Sequence, residues 1–152
     1  MFAGLWFAGA IGWYFIYQPV SESNTTEYTA TIASIQPVTF YSITTEEYGA
    51  KFGIFFEDTV ADMNALSNLS AGQIITFRIK NSDVSNLNNT NEIIYIVSLK
   101  TADTEIITIE SYNKNNSKMQ LQAVLGFAAG GSLCLIAAVL FLLWHKGKLG
   151  KR

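Results

Sequence analysis

Nucleophilic hydrolysis needs a serine or cysteine beside a histidine, and this chain has one histidine, His145, and one cysteine, Cys134. Cys134 lies inside a long apolar run and His145 just past its end, remote from the polar middle of the chain. Together they exclude a Ser-His-Asp or Cys-His site within that middle stretch, and a histidine-rich or cysteine-rich zinc site as well. Lys148 to Lys151 follows no strand and matches no phosphate-cradling loop. The residues best suited to chemistry are carboxylates: Glu57, Asp58 and Asp62, with Glu46 and Glu47 one strand earlier. Such groups can bind calcium or move protons. Their spacing does not match a calcium-binding helix-loop-helix, and no glycine stands where a tight metal loop turns. Helix capping and a solvated acidic rim account for the same residues. We expect no catalytic residue, no metal ligand and no cofactor.

Tyr28, Tyr41, Tyr48, Phe55 and Tyr95 would supply aromatic faces for stacking nucleic-acid bases. The charge opposes this. All 12 acidic residues lie between Glu22 and Glu110, and the middle of the chain holds six basic ones, so it repels phosphate. These aromatics read as core and rim, and no nucleic-acid partner is expected. The acceptor patterns at Asn24, Asn68, Asn88 and Asn115 matter only in a eukaryotic secretory pathway.

The elements that hold the middle in place are apolar ends. Leu121 to Trp144 is 24 residues without a charge. At 1.5 Å per residue such a helix is about 36 Å long, enough to cross a hydrocarbon core of about 30 Å. Trp144 suits a headgroup boundary, and Lys146, Lys148, Lys151 and Arg152 follow at once, which favours the cytoplasmic side. Phe2 to Tyr17 is 16 uncharged residues, about 24 Å as a helix, and short for a span. Three explanations stay open: a short span with Trp13, Tyr14 and Tyr17 as its outer aromatic belt, a span whose start lies upstream, or a cleavable signal peptide. All three put the middle outside and the C-terminus in the cytoplasm. Gly4, Ala8 and Gly12, and then Gly126, Gly130, Cys134 and Ala138, recur every four residues. Each set shares one helix face, where small side chains permit close packing between helices. Cys134 on this reading is a packing residue whose thiol stays inert.

Between the ends, β signals dominate. Tyr28 to Ile35, Val38 to Ile43 and Tyr48 to Phe56 read as strands. Val60, Met63 and Leu66 recur every three residues, so Asp58 to Asn68 reads as a short helix with Asp58 as its cap. Gly72 restarts the chain. Ile75, Phe77 and Ile79 alternate with Thr76, Arg78 and Lys80, the clearest period-two stretch. Asn81 to Asn91 is a polar loop, Ile93 to Leu99 a strand apolar on nearly both faces, and Glu105 to Ile109 its partner after a turn. Three strands, a short helix and two or three more strands is the order of an OB-fold barrel. A sandwich or an open sheet remains an alternative.

The layout resembles small bacterial membrane proteins in which two spans flank an extracytoplasmic OB-like β domain. The resemblance rests on the organisation of the whole chain, on Ala71 to Arg78 before the fourth strand, and on the hairpin from Ile96 to Thr104. It brings no catalytic residues. The expectation is a membrane-anchored α+β chain: a transmembrane helix over 1–18, a small, mainly antiparallel OB-like β-barrel domain with one short helix over 19–119, a second transmembrane helix over 120–145, and a basic cytoplasmic tail over 146–152. Its partners are the lipid bilayer and another membrane or envelope protein, or a second copy in a homo-oligomer. The expected role is protein docking without catalysis. The alternative is a ligand or ion sensor that signals through the helices, and an enzyme would need catalytic groups from another chain.

Overall fold

The computed structural model describes residues 8, 9, 12, 18–37, 41–54 and 61–149. The chain divides into two compact units, one formed by Met1–Gln18 with Asn116–Arg152 and the other by Pro19–Asn115. The architecture is α+β: a mixed seven-stranded sheet and one long, apolar C-terminal helix.

The strands are β1 (Thr25–Pro37), β2 (Tyr41–Thr45), β3 (Lys51–Ile54), β4 (Ile74–Lys80), β5 (Ile93–Tyr95), β6 (Ser98–Lys100) and β7 (Glu105–Ile107). Their order across the sheet is β5-β3-β2-β1-β4-β6-β7. All neighbours are antiparallel except β3 and β5, which are parallel and in register from Lys51↔Ile93 to Gly53↔Tyr95. β1 is long enough to serve two partners. Its first half pairs with β4, from Thr25↔Lys80 to Thr31↔Ile74. Its second half pairs with β2, from Ile32↔Thr45 to Pro37↔Tyr41, across a register shift between Ile32 and Ser34. An irregularity of this kind bends a strand and increases its twist, which lets one strand pass from one pairing to the other.

Alternation sets the core. Ile75, Phe77 and Ile79 of β4 are fully buried, while Arg78 and Lys80 point the other way. Phe77 meets Phe52 of β3 with ring centroids 4.6 Å apart. Tyr28 stacks on Phe77 and Tyr48 meets both phenylalanines edge-on, geometries that aromatic quadrupoles favour. Ile32, Ile43, Leu66, Leu99 and Ile107 close round them.

The short helix is Met63–Ser67. Its cap is Asp62, whose Oδ1 accepts from the backbone N–H groups of Asn64 (3.0 Å) and Ala65 (3.1 Å). Asp58, the cap expected from the sequence, lies outside the described residues. The turn before β4 needs Gly72: its φ is +84°, in the left-handed region, and Gln73 N–H bonds back to the Ser70 carbonyl across it. The stretch expected as a polar loop opens with a 3-10 helix over Asn81–Asn86.

The last strand ends earlier than its apolar pattern suggests. Glu105–Ile107 is strand, and the long helix spans Ile109–Leu149. Thr108 starts it: Ser111 N–H donates to Thr108 Oγ1 (2.9 Å) and Thr108 N–H donates to Ser111 Oγ (3.2 Å). This reciprocal exchange satisfies two donors and launches the helix inside the β unit, well before the apolar run begins.

Candidate functional site

The long helix is the feature with the plainest chemical consequence. Over Ile109–Gly147 it contains an 18-residue window of mean hydropathy 2.3, of which 6% is buried. Leu133, Leu140, Leu143 and Trp144 are each more than half exposed. Among the described residues it is the one helix long and apolar enough to cross a membrane.

On it, Gly126 and Ala138 are exposed and Gly130 and Cys134 half-buried, while Gly131 is buried. A methyl group built on Gly126 would meet nothing within 4 Å. In the first apolar segment Ala8, Gly9 and Gly12 are helical, and Gly4, Trp13, Tyr14 and Tyr17 lie outside the described residues. The close approach in this unit falls one residue beside the expected stripe: a methyl on Gly9 would stand 3.1 Å from Cε1 of Phe127, whereas one on Gly12 would meet nothing. Trp144 and Lys146 are exposed at the end of the apolar run; Lys151 and Arg152 lie outside the described residues.

The β unit begins and ends at one joint. Val20 N–H donates to Asn113 Oδ1 (2.9 Å), and Asn113 Nδ2 donates to the Val20 carbonyl (2.8 Å). Val20, Val97 and Tyr112 form a small buried cluster at the same place, with Ile109 against it. This joint left no motif in the sequence. The asparagine lies ahead of the apolar run from Leu121, where the sequence pattern predicts no helix, and its partner is a backbone.

Among the described residues, the carboxylates singled out from the sequence do not form a metal-binding group. Asp62 is occupied as a helix cap, and Glu57 and Asp58 lie outside the described residues. Glu47 accepts the Thr31 N–H with both oxygens at 2.9 Å. That bond holds its carboxyl below the usual range, the opposite of what a general acid needs. Among the described residues no group of three or more His, Cys, Asp or Glu is placed to hold a metal ion. Tyr28, Tyr41 and Tyr48 pack partly buried against the core and Tyr95 stands exposed on β5, while Phe55 lies outside the described residues. Burial raises the Tyr48 hydroxyl above its ordinary value, helped by Tyr28 and then Glu47 nearby.

Ion pairing occurs elsewhere. Glu27 of β1, Arg78 of β4 and Lys100 of β6 meet on the outer face of the sheet, with Glu27 Oε2 3.3 Å from Arg78 Nε and 3.4 Å from Lys100 Nζ. Sequence pattern marks Arg78 as an outward-facing charge and does not reveal this meeting, which depends on the register of three strands.

The fold and these sites define an α+β chain with a β-sheet unit and a helix of membrane-spanning length. No family model, curated protein or solved structure matches it.

Proposed function

We propose that this chain is a non-enzymatic integral membrane protein. Two helices span the bilayer, the β domain stands outside the cytoplasm, the C-terminus stays inside, and the domain docks another membrane or envelope protein. The observation that carries the reading is the exposed apolar surface of the long helix: a helix that apolar has no stable place in water unless buried all round. The basic residues that follow Trp144 support the inward tail. The close approach of Gly9 to Phe127 supports a second span beside the first. The joint at Val20 and Asn113 brings the two ends of the β domain to one point, which supports a domain tethered at both ends.

The domain itself we read as a closed, OB-like barrel. β5 stands at one end of the strand order and β6 near the other, yet only Ile96 and Val97 separate them in the chain. Ile96 N–H bonds to the Gly53 carbonyl of β3 and Val97 N–H to the Arg78 carbonyl of β4. One bent strand from Ile93 to Lys100 would thus link β3 to β4 and close a ring of β1 to β4 with that strand, as a small barrel does, with β7 added outside it on β6. The parallel β3–β5 pair and the helix between β3 and β4 fit that topology.

The test is cross-linking in native membranes followed by purification of the full chain in mild detergent. One stoichiometric membrane or envelope partner is the expected result. Recovery of a lone homo-oligomer would contradict docking and favour the sensor reading, for which the cleft beside Arg78 is the specific support.

A further inference from the structure

The two ion pairs formed by Glu27 border a cleft of about 230 Å³ between the 3-10 turn Glu22–Asn24, strands β4, β6 and β7, and the first residue of the long helix. That is below the roughly 300–1,000 Å³ of sites for drug-sized molecules, so its occupant is small.

The Arg78 side chain is 20% exposed, so most of it is out of water. Its contacts are nevertheless long and single. Nε reaches one oxygen of Glu27 at 3.3 Å, and Nη1 donates to Thr25 Oγ1 at 3.4 Å. Lys100 shares that same Glu27 oxygen at 3.4 Å. Guanidinium has five donors in a rigid fork that matches a carboxylate two-to-two, and nothing among the described residues engages it that way. Glu27 is itself 42% exposed, and a ligand carboxylate would take its place, so Arg78 keeps a counter-charge when Glu27 turns to water.

The remaining lining decides the ligand. Glu22 and Glu105 add two carboxylates that make no ion pair among the described residues. Three acids against two bases disfavour a bare anion; an occupant must bring a positive group with its carboxylate. Leu99, Ile107 and Ile109 give the cleft an apolar side. We propose that the cleft binds a small zwitterion of the α-amino-acid type, with its carboxylate on Arg78 and Lys100 and its ammonium group on Glu22 and Glu105. This proposal does not rest on the docking reading, and either can fail alone.

The experiment is calorimetric titration of the full chain in mild detergent with glycine, L-alanine and L-serine. Acetate and methylammonium at matched ionic strength serve as half-ligands. Saturable heat from at least one amino acid and none from either half-ligand is expected. Arg78→Gln should weaken binding at least about tenfold, since charge-assisted bidentate bonds are lost. Glu105→Gln, at an exposed position on β7, leaves the fold intact and should also weaken binding, so it decides the matter if Arg78→Gln does not fold. Absence of heat from all three amino acids would overturn the proposal. So would acetate binding as well as the amino acids, or unchanged binding in Glu105→Gln.

Discussion

Asn113 holds Val20 by both of its backbone polar groups, accepting from the amide at 2.9 Å and donating to the carbonyl at 2.8 Å. The two residues are 93 positions apart. A side-chain amide thereby does what a strand neighbour would do, and it ties the entry of the β unit to the second turn of the long helix. Asn113→Ala should cost about 1–3 kcal/mol, because a part-buried N–H and C=O lose their partner together. The thermal midpoint of the full chain should fall and the Val20 amide should exchange faster. Asn113→Asp keeps the acceptor and loses the donor, so it should fall between the two. An unchanged Val20 exchange rate in Asn113→Ala would refute the joint.

Phe77 lies at the centre of the aromatic cluster, fully buried and in contact with Phe52, Tyr28 and Tyr48. Phe77→Ala should destabilise the β unit by about 3–5 kcal/mol, measured by denaturant unfolding of the full chain in detergent. Arg78→Ala next to it, on the outer face, should cost far less.

This contrast marks what the sequence made legible. Period-two alternation located β4 and its buried face, because one face packs and the other meets water. The apolar run from Leu121 located the long helix by length and charge alone. The start of that helix was not legible as such. Ile106, Ile107 and Ile109 read as a continuing strand, and only the exchange between Thr108 and Ser111 turns the chain. Ile93 to Leu99 read as apolar on both faces for a reason visible only in three dimensions. Ile96 bonds toward β3 and Val97 toward β4, and both side chains are buried at that change of partner. The meeting of Glu27, Arg78 and Lys100 and the bond from Asn113 to Val20 depend on register and topology, which local pattern does not encode.

Glu47 gives a pH test. Accepting the Thr31 N–H lowers its folded-state pKa, so its contribution is present above the unfolded pKa and lost as pH falls through the folded one. Glu47→Gln removes the titration. The stability difference between the parent chain and Glu47→Gln should be constant above about pH 5, where a free glutamate is ionised, and should shrink in acid. A difference that grows as pH falls would refute the assigned direction.

Gly9 and Phe127 test the helix pair. Gly9→Val brings new atoms against the Phe127 ring, already 3.1 Å from a single methyl at that site. Overpacking of this kind typically costs about 1–3 kcal/mol. Phe127→Ala in the same chain should relieve part of that cost, and a double-mutant cycle on detergent unfolding reads the coupling. Strict additivity would show that the two positions do not pack.

Alkaline carbonate extraction of membranes from cells expressing the full chain tests most directly whether the long helix resides in lipid. The protein should stay with the pelleted membranes and float with them on a density gradient, leaving them only when detergent is added. Release of the intact chain into the carbonate supernatant would contradict the account.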